Sequence, residues 1–231
     1  MALAYPGAAL ALHSAALGHS LPLWRPLPAD VALNVPWSQW NGSRPGVVLH
    51  RMTVPESDIV PGRVPMTSVA RTCIDVARLM SPADGLAAAD AALRLGLTTA
   101  AELHLVADTC IDRRGSRGAQ IVVAHCDPRR ESPAESGSWI YFLRHRLPLP
   151  EMQVEITTGF GLQIARVDFL WRNARLVGEC DGRMKYTSAD DLYREKRRED
   201  EVRGEGFDVV RWGPRDLGND DLARRLRRFL T

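Results

Sequence analysis

Lysine is nearly absent from this chain. Of its 30 lysine and arginine residues, only Lys185 and Lys196 are lysines. The four cysteines, Cys73, Cys110, Cys126 and Cys180, have no paired spacing. That leaves no CxxC element and no zinc-type Cys/His grouping, and reduced thiols in a cytoplasmic protein are the simplest reading. No apolar run has the length of a membrane span. The Ala- and Leu-rich start is interrupted by His13 and His19, and its first basic residue is Arg25. It therefore lacks the charged region of a secretory signal. No internal repeat or low-complexity tract is present. The formal net charge of +2 excludes an overall polycation.

A length of 231 residues suggests one large or two small domains, and 45% hydrophobic residues suffice for a packed core. Charge is unevenly spread. Residues 1–126 hold 10 Lys+Arg and 9 Asp+Glu, whereas residues 127–231 hold 20 and 19. Such dense but balanced charge points to solvated helix faces laced with ion pairs.

The pattern predicts a short helix over 7–18, then strand-like runs at 30–35, 46–53 and 62–65. Helical periodicity starts near Ser68, with Thr67 or Ser68 as cap. Further helices are expected at 82–95, with Pro82 in the first turn, and at 99–109. A loop over 112–118 precedes a short helix to about His125. Asp127–Pro133 reads as a linker. A helix then runs from Pro133 to about Arg146, followed by strands at 152–156, 163–170 and 174–180. A charged helix over 188–204, a strand at 207–212 and a helix at 219–230 complete the chain. The fold class is α+β: a mixed helical and strand region over 1–126, then an α-β-β-β-α-β-α domain over 127–231.

Two apolar strand-like runs each deliver carboxylates. Asp168 lies in the first, Glu179 near the end of the second, and Asp181 two residues on. An amine, Lys185, follows just past Gly182. Carboxylates of this kind suit a divalent cation beside a phosphodiester. If the strand continues through Asp181, Glu179 and Asp181 share a face. The Lys185 ammonium is placed to hold an attacking water or to offset phosphate charge. Glu135, in the first turn of a helix preceding the sheet, is a candidate fourth carboxylate. Cys180 reads as a buried strand residue whose carbonyl faces the metal rather than as a nucleophile, since no histidine partner is evident.

Residues 131–217 resemble the very-short-patch-repair-like branch of the PD-(D/E)XK nuclease superfamily. The resemblance is carried by Glu131-Ser-Pro-Ala-Glu135-Ser136, Arg166-Val-Asp168, Val177-Gly-Glu179-Cys-Asp181-Gly182, Arg194–Asp200 and Gly206-Phe-Asp-Val-Val-Arg-Trp212. It implies a restriction-endonuclease-like fold, magnesium or manganese as cofactor, and DNA as partner. It implies Asp168 and Glu179 as metal ligands, which the Cys180 carbonyl joins on the reading above, and Glu135, Asp168, Glu179 and Asp181 as catalytic residues, with Lys185 added as the nearby cation. On the charged helix, Glu195 and Arg198 match an acid-x-x-Arg pattern, although an i,i+3 ion pair is the simpler reading. Arg194, Lys196 and Arg198 are the nucleic-acid contacts it implies. Two positions depart from the pattern: Asp181 occupies the usual lysine slot, and Lys185 stands where relatives often carry histidine.

Residues 1–126 resemble, less strongly, the region beside such a module in proteins related to AbiEi antitoxins, through Leu12–Gly18 and Val64–Arg78. Relatives of that kind usually begin with a winged helix, of which this chain is read as retaining a remnant at most. The expected activity is magnesium-dependent hydrolysis of DNA phosphodiesters. The alternative is a non-catalytic, antitoxin-like regulator using the nuclease fold to bind DNA, a cognate toxin or another protein.

Elsewhere, Arg71 and Asp75 read as an intrahelical ion pair. Arg113, Arg114 and Arg117 form a loop able to touch phosphate, with a solvated loop as the default. Arg224, Arg225, Arg227 and Arg228 form a basic helix face. Trp171 and Trp212 read as core rather than base-stacking residues.

Overall fold

The computed structural model describes residues 5–36, 44–181 and 189–230, the side chains of 189–192 and 195 excepted. Among these, no helix is long and apolar enough to cross a membrane. The protein is mixed α+β and divides into two compact units that meet at Pro133 and Ala134.

The first unit contains a five-stranded mixed sheet of β1 (Ala9–Leu10), β2 (Val31–Val35), β3 (Val47–Arg51), β4 (Ile59–Val60) and β5 (Met66–Thr67), in the order β3-β2-β1-β5-β4. Helix α1 (Leu12–Gly18) follows β1. The helix expected over 7–18 is thus shortened at its start, because Ala9 and Leu10 pair with β2 and Leu10 also with β5. Ala11, with extended backbone, separates the strand from the helix, and Leu12 opens the helix with φ +50°. The strand expected at 62–65 is instead the connection between β4 and β5, which pair antiparallel on either side of it.

Helices α2 (Val69–Leu79), α3 (Pro82–Arg94), α4 (Ala100–Asp108) and α5 (Ser116–His125) follow. Their starts have local causes. Ser68 accepts from the Arg71 N–H, Ser81 accepts from the Asp84 N–H with Pro82 behind it, and Thr99 forms a capping box with Glu102. Asp75 sits between Arg71 at 2.5 Å and Arg78 at 2.6 Å, all three side chains buried. Asp127–Pro133, read as a linker, is tied to this unit. Arg130 grips Asp90 through two nitrogens at 2.6 and 2.9 Å, with both side chains buried.

The second unit contains α6 (Pro133–Arg144), β6 (Glu151–Thr157), β7 (Gln163–Trp171), β8 (Leu176–Cys180), α7 (Ala189–Gly204), β9 (Asp208–Trp212) and α8 (Asp221–Arg227). Its sheet runs β6-β7-β8-β9, antiparallel except for the β8–β9 pair, which α7 connects. Parallel neighbours need such a crossover. One sheet face carries an aromatic core. Phe142 of α6 meets Phe169, Trp171 and Trp212 edge-on at 5.3, 5.3 and 5.8 Å between ring centroids. Gly178 is required there: a Cβ would stand 2.5 Å from the Trp212 ring and 2.9 Å from Trp171. On the other face, Leu170 and Val177 cluster with Val202 of α7. Both tryptophans are core residues, as expected, and all four cysteines are free thiols.

Candidate functional site

The strand registers bring the candidate residues together. The β7–β8 ladder ends at Phe169–Gly178, and Asp168 and Glu179 are the next residue of each strand beyond that pair. On the other side of β7, Gln153 lies between two paired positions, Met152–Phe169 and Val154–Val167, and so opposite Asp168. Glu179 in turn pairs with Arg211. Gln153 and Asp168 therefore stand on one side of the end of the β7–β8 ladder, and Glu179 and Arg211 on the other. Successive strand residues alternate faces. Asp168 thus shares the face of Leu170, and Glu179 that of Val177, beneath α7. Arg198 is one helical turn before Val202 on α7 and reaches the same face. It donates to Glu179 Oε1 at 3.3 Å.

Each carboxylate has its own setting. Asp168 is half-buried, and its Oδ2 accepts from the Cys180 backbone N–H at 2.9 Å. Burial raises its pKa, the Cys180 N–H lowers it, and the charges of Glu135 and Asp181 raise it again, with Arg198 opposing. The balance puts it at about 6, against 3.8 ordinarily. Glu179 is buried. Strand β8 ends at Cys180, but the Asp181 N–H still donates to the Trp212 carbonyl at 2.9 Å. The Asp181 carboxylate lies 3.6 Å from Arg211.

Glu135 stands in the first turn of α6 and is 5% exposed. Its Oε2 accepts from the Gln153 amide at 2.9 Å. Gln153 is the residue that sequence reasoning missed. Its φ of +54° is left-handed, a conformation costly for a non-glycine residue inside a strand. The alternating run Met152–Ile156 gives no sign of it. Only the break in pairing opposite Asp168 and the bond to Glu135 mark the position.

Cys180 is buried, its thiol 3.3 Å from Ser138 Oγ, and burial pushes its pKa up to about 12. It is no nucleophile. Arg194 and Lys196 are exposed on α7. Lys185 and the Glu195 side chain lie outside the described residues. The C-terminal arginines are partly engaged: Arg224 pairs with Asp221, Arg225 donates to the Arg211 carbonyl and Arg227 to that of His145.

Among the described residues, no three histidine, cysteine, aspartate or glutamate side chains gather closely enough to hold a metal ion. Asp168 and Glu179 nonetheless offer the hard oxygen donors that magnesium takes, from adjacent strands. With Glu179 held by Arg198, a cation shared between the two acids requires that guanidinium to give way.

The sequence is 31% identical over 187 residues to two proteins of Mycobacterium tuberculosis, "Uncharacterized protein Rv2248" of strain ATCC 25618 / H37Rv and "Uncharacterized protein MT2308" of strain CDC 1551 / Oshkosh. The match covers 80% of this chain and 68% of each relative. This chain belongs to their family. The matched span is longer than either compact unit, so the kinship takes in residues of both. No family model matches the sequence, and no solved structure matches it.

Proposed function

We propose that the second unit is a restriction-endonuclease-like domain that hydrolyses DNA phosphodiester bonds with magnesium or manganese. The observation that carries this reading is the placing of Asp168 and Glu179 on neighbouring strands, each one residue past the last β7–β8 pair. Like charges brought close on neighbouring strands destabilise a sheet. Burying carboxylates costs several kcal/mol more unless they are paired. Glu179 already has Arg198 as a partner, but Asp168 feels the charges of Glu135 and Asp181, and a cation joining the site relieves it. Costly charged clusters of this kind concentrate at functional sites.

Asp168, Glu179 and the Cys180 carbonyl would hold the cation. Magnesium bound there supplies charge for the phosphoryl oxygens and a more acidic water. The chain's own residues do the rest. Gln153 holds Glu135 in place through its amide. Glu135 is the carboxylate positioned to orient water. Arg198, once displaced from Glu179, is the cation available to a phosphate oxygen, and Lys185 is the candidate for the second such role.

A second reading has its own support. Asp181 occupies the slot where similar nucleases carry lysine, and Glu179 and Asp181 already have internal cations in Arg198 and Arg211. That arrangement suits a non-catalytic, antitoxin-like regulator that binds DNA or a protein through this fold. Purified full chain decides between them. The nuclease reading expects magnesium-dependent nicking of supercoiled plasmid that Asp168→Ala abolishes while leaving the circular dichroism spectrum unchanged. Undiminished nicking by that variant would sink it. Calorimetric titration showing no magnesium or manganese binding would favour the regulator.

A further inference from the structure

We propose that the first unit carries a separate site for the phosphodiester backbone of a nucleic acid, in a cleft between β3 and the loop joining α4 to α5. The cleft has a volume of about 780 Å³, and His50, Arg51, Arg78, Arg113 and Arg114 line it together with the apolar Val48, Leu49, Met52 and Leu79. Among the described residues no acidic side chain lines it. Asp112, exposed on the same loop, is not part of the wall.

The arginine loop, read as solvated by default and able to touch phosphate, is fixed in place. Arg78 ties it down: its Nη1 holds Asp75 at 2.6 Å and its Nη2 donates to the Arg114 carbonyl at 3.0 Å. Arg113 Nη1 donates to the Thr53 carbonyl at 3.3 Å. Gly115, with φ +78°, lets the loop press on the end of α2, where a Cβ would stand 2.1 Å from the Arg78 carbonyl oxygen. Arg113 and Arg114 are exposed. They are therefore presented by an ordered loop, and the backbone entropy of arranging them is already spent before a ligand arrives.

The charge balance matters as much as the shape. Asp75 is shared by Arg71 and Arg78, and Asp58 approaches Arg71 at 3.6 Å. These acids offset the arginines behind the wall. Arg51, Arg113 and Arg114 supply the cationic lining of a cleft whose other walls are apolar. A concave, low-dielectric surface lined by one sign of charge focuses field on an incoming anion. Guanidinium forks match phosphate oxygens better than ammonium groups do. The open form of the cleft and the arrival of its arginines from a strand, a helix and a loop suit an extended backbone. This inference takes the nucleic-acid ligand from the proposed function but none of its catalysis.

The test uses full chain and a short labelled DNA duplex, with EDTA present so that no cleavage occurs. Binding is followed by fluorescence anisotropy between about 50 and about 200 mM salt. Each phosphate left without its arginine reduces the slope of log K against log salt by about 1, so R113A/R114A is expected to flatten it by about 2. The Arg114 carbonyl that anchors the loop survives these substitutions. The control R117A/R129A removes two exposed arginines of the same unit that lie outside the cleft, and it should keep the wild-type slope. An unchanged slope in R113A/R114A, or an equal flattening in the control, overturns the proposal. So does protection of the loop from hydrogen exchange by pyrophosphate but not by the duplex. Absence of the slope effect with Asp168-dependent nicking intact condemns this site alone. A slope effect without any nicking supports this site and condemns the nuclease reading.

Discussion

Removing the charge of Asp168 should make the second unit more stable. The carboxyl is held at about 6 in the folded protein, against 3.8 ordinarily, chiefly by burial, with the Glu135 and Asp181 charges adding to it. The folded state therefore holds its proton more tightly than the unfolded chain does. Below about pH 3 both states are protonated and there is no penalty. As pH rises from about 4 to 6 the unfolded chain loses its proton first, and stability falls. Above that window the penalty is complete, at roughly 2 pKa units or about 3 kcal/mol. Asp168→Asn stays uncharged throughout, and its carbonyl oxygen can still accept the Cys180 N–H. Without added metal the variant should exceed wild type by about 2–3 kcal/mol at pH 8, with the gap closing towards pH 4. Hydrogen exchange of peptides spanning β7 and β8, corrected for intrinsic rates, reads this directly and does not depend on the first unit. A variant no more stable than wild type at pH 8 would refute the reasoning. So would a gap that persists undiminished at pH 4. If the proposed function holds, magnesium should narrow the gap by stabilising only the wild type.

Two further outcomes follow from the geometry. Gln153→Ala should destabilise the second unit by about 1.5–3 kcal/mol, since it removes a hydrogen bond to a buried carboxylate. Gln153→Gly loses the same bond but accepts the positive φ, so it should be the more stable of the two by about 1 kcal/mol, reversing the usual order in strands; urea denaturation that ranks alanine above glycine would contradict the strain argument. In the first unit, Arg130→Ala leaves Asp90 buried without its main cation and should cost about 3–5 kcal/mol, whereas Arg129→Ala, in an exposed pair with Asp127, should cost less than about 1 kcal/mol. Equal losses in the two arginine variants would refute the distinction.

Much of the architecture was legible because its causes are local. Ser68, Ser81 with Pro82, and Thr99 with Glu102 are capping signals, and they start α2, α3 and α4 where the sequence placed them. Alternation over Met152–Ile156 and the apolar run up to Cys180 marked β6 and β8. The short strands β1, β4 and β5 were not legible. Two residues carry no period, and these exist only because distant partners pair with them.

The same division applies to the candidate site. By itself the sequence determined which acids stand there: Glu135 at a helix start, Asp168 and Glu179 on two strands, and Asp181 just past the second. Side-chain chemistry and local periodicity are properties of the chain. Only the tertiary structure decided their neighbours. Register sets Asp168 and Glu179 just past the last β7–β8 pair, pairs Glu179 with Arg211, and leaves Gln153 left-handed and bonded to Glu135. Helix α7 brings Arg198 onto Glu179 rather than leaving it in solvent. The sequence likewise contained Arg51, Arg78, Arg113 and Arg114, but their shared cleft depends on a loop pinned to the end of α2. Register and helix docking are chosen by the burial of whole faces, a quantity that no single segment of the chain contains.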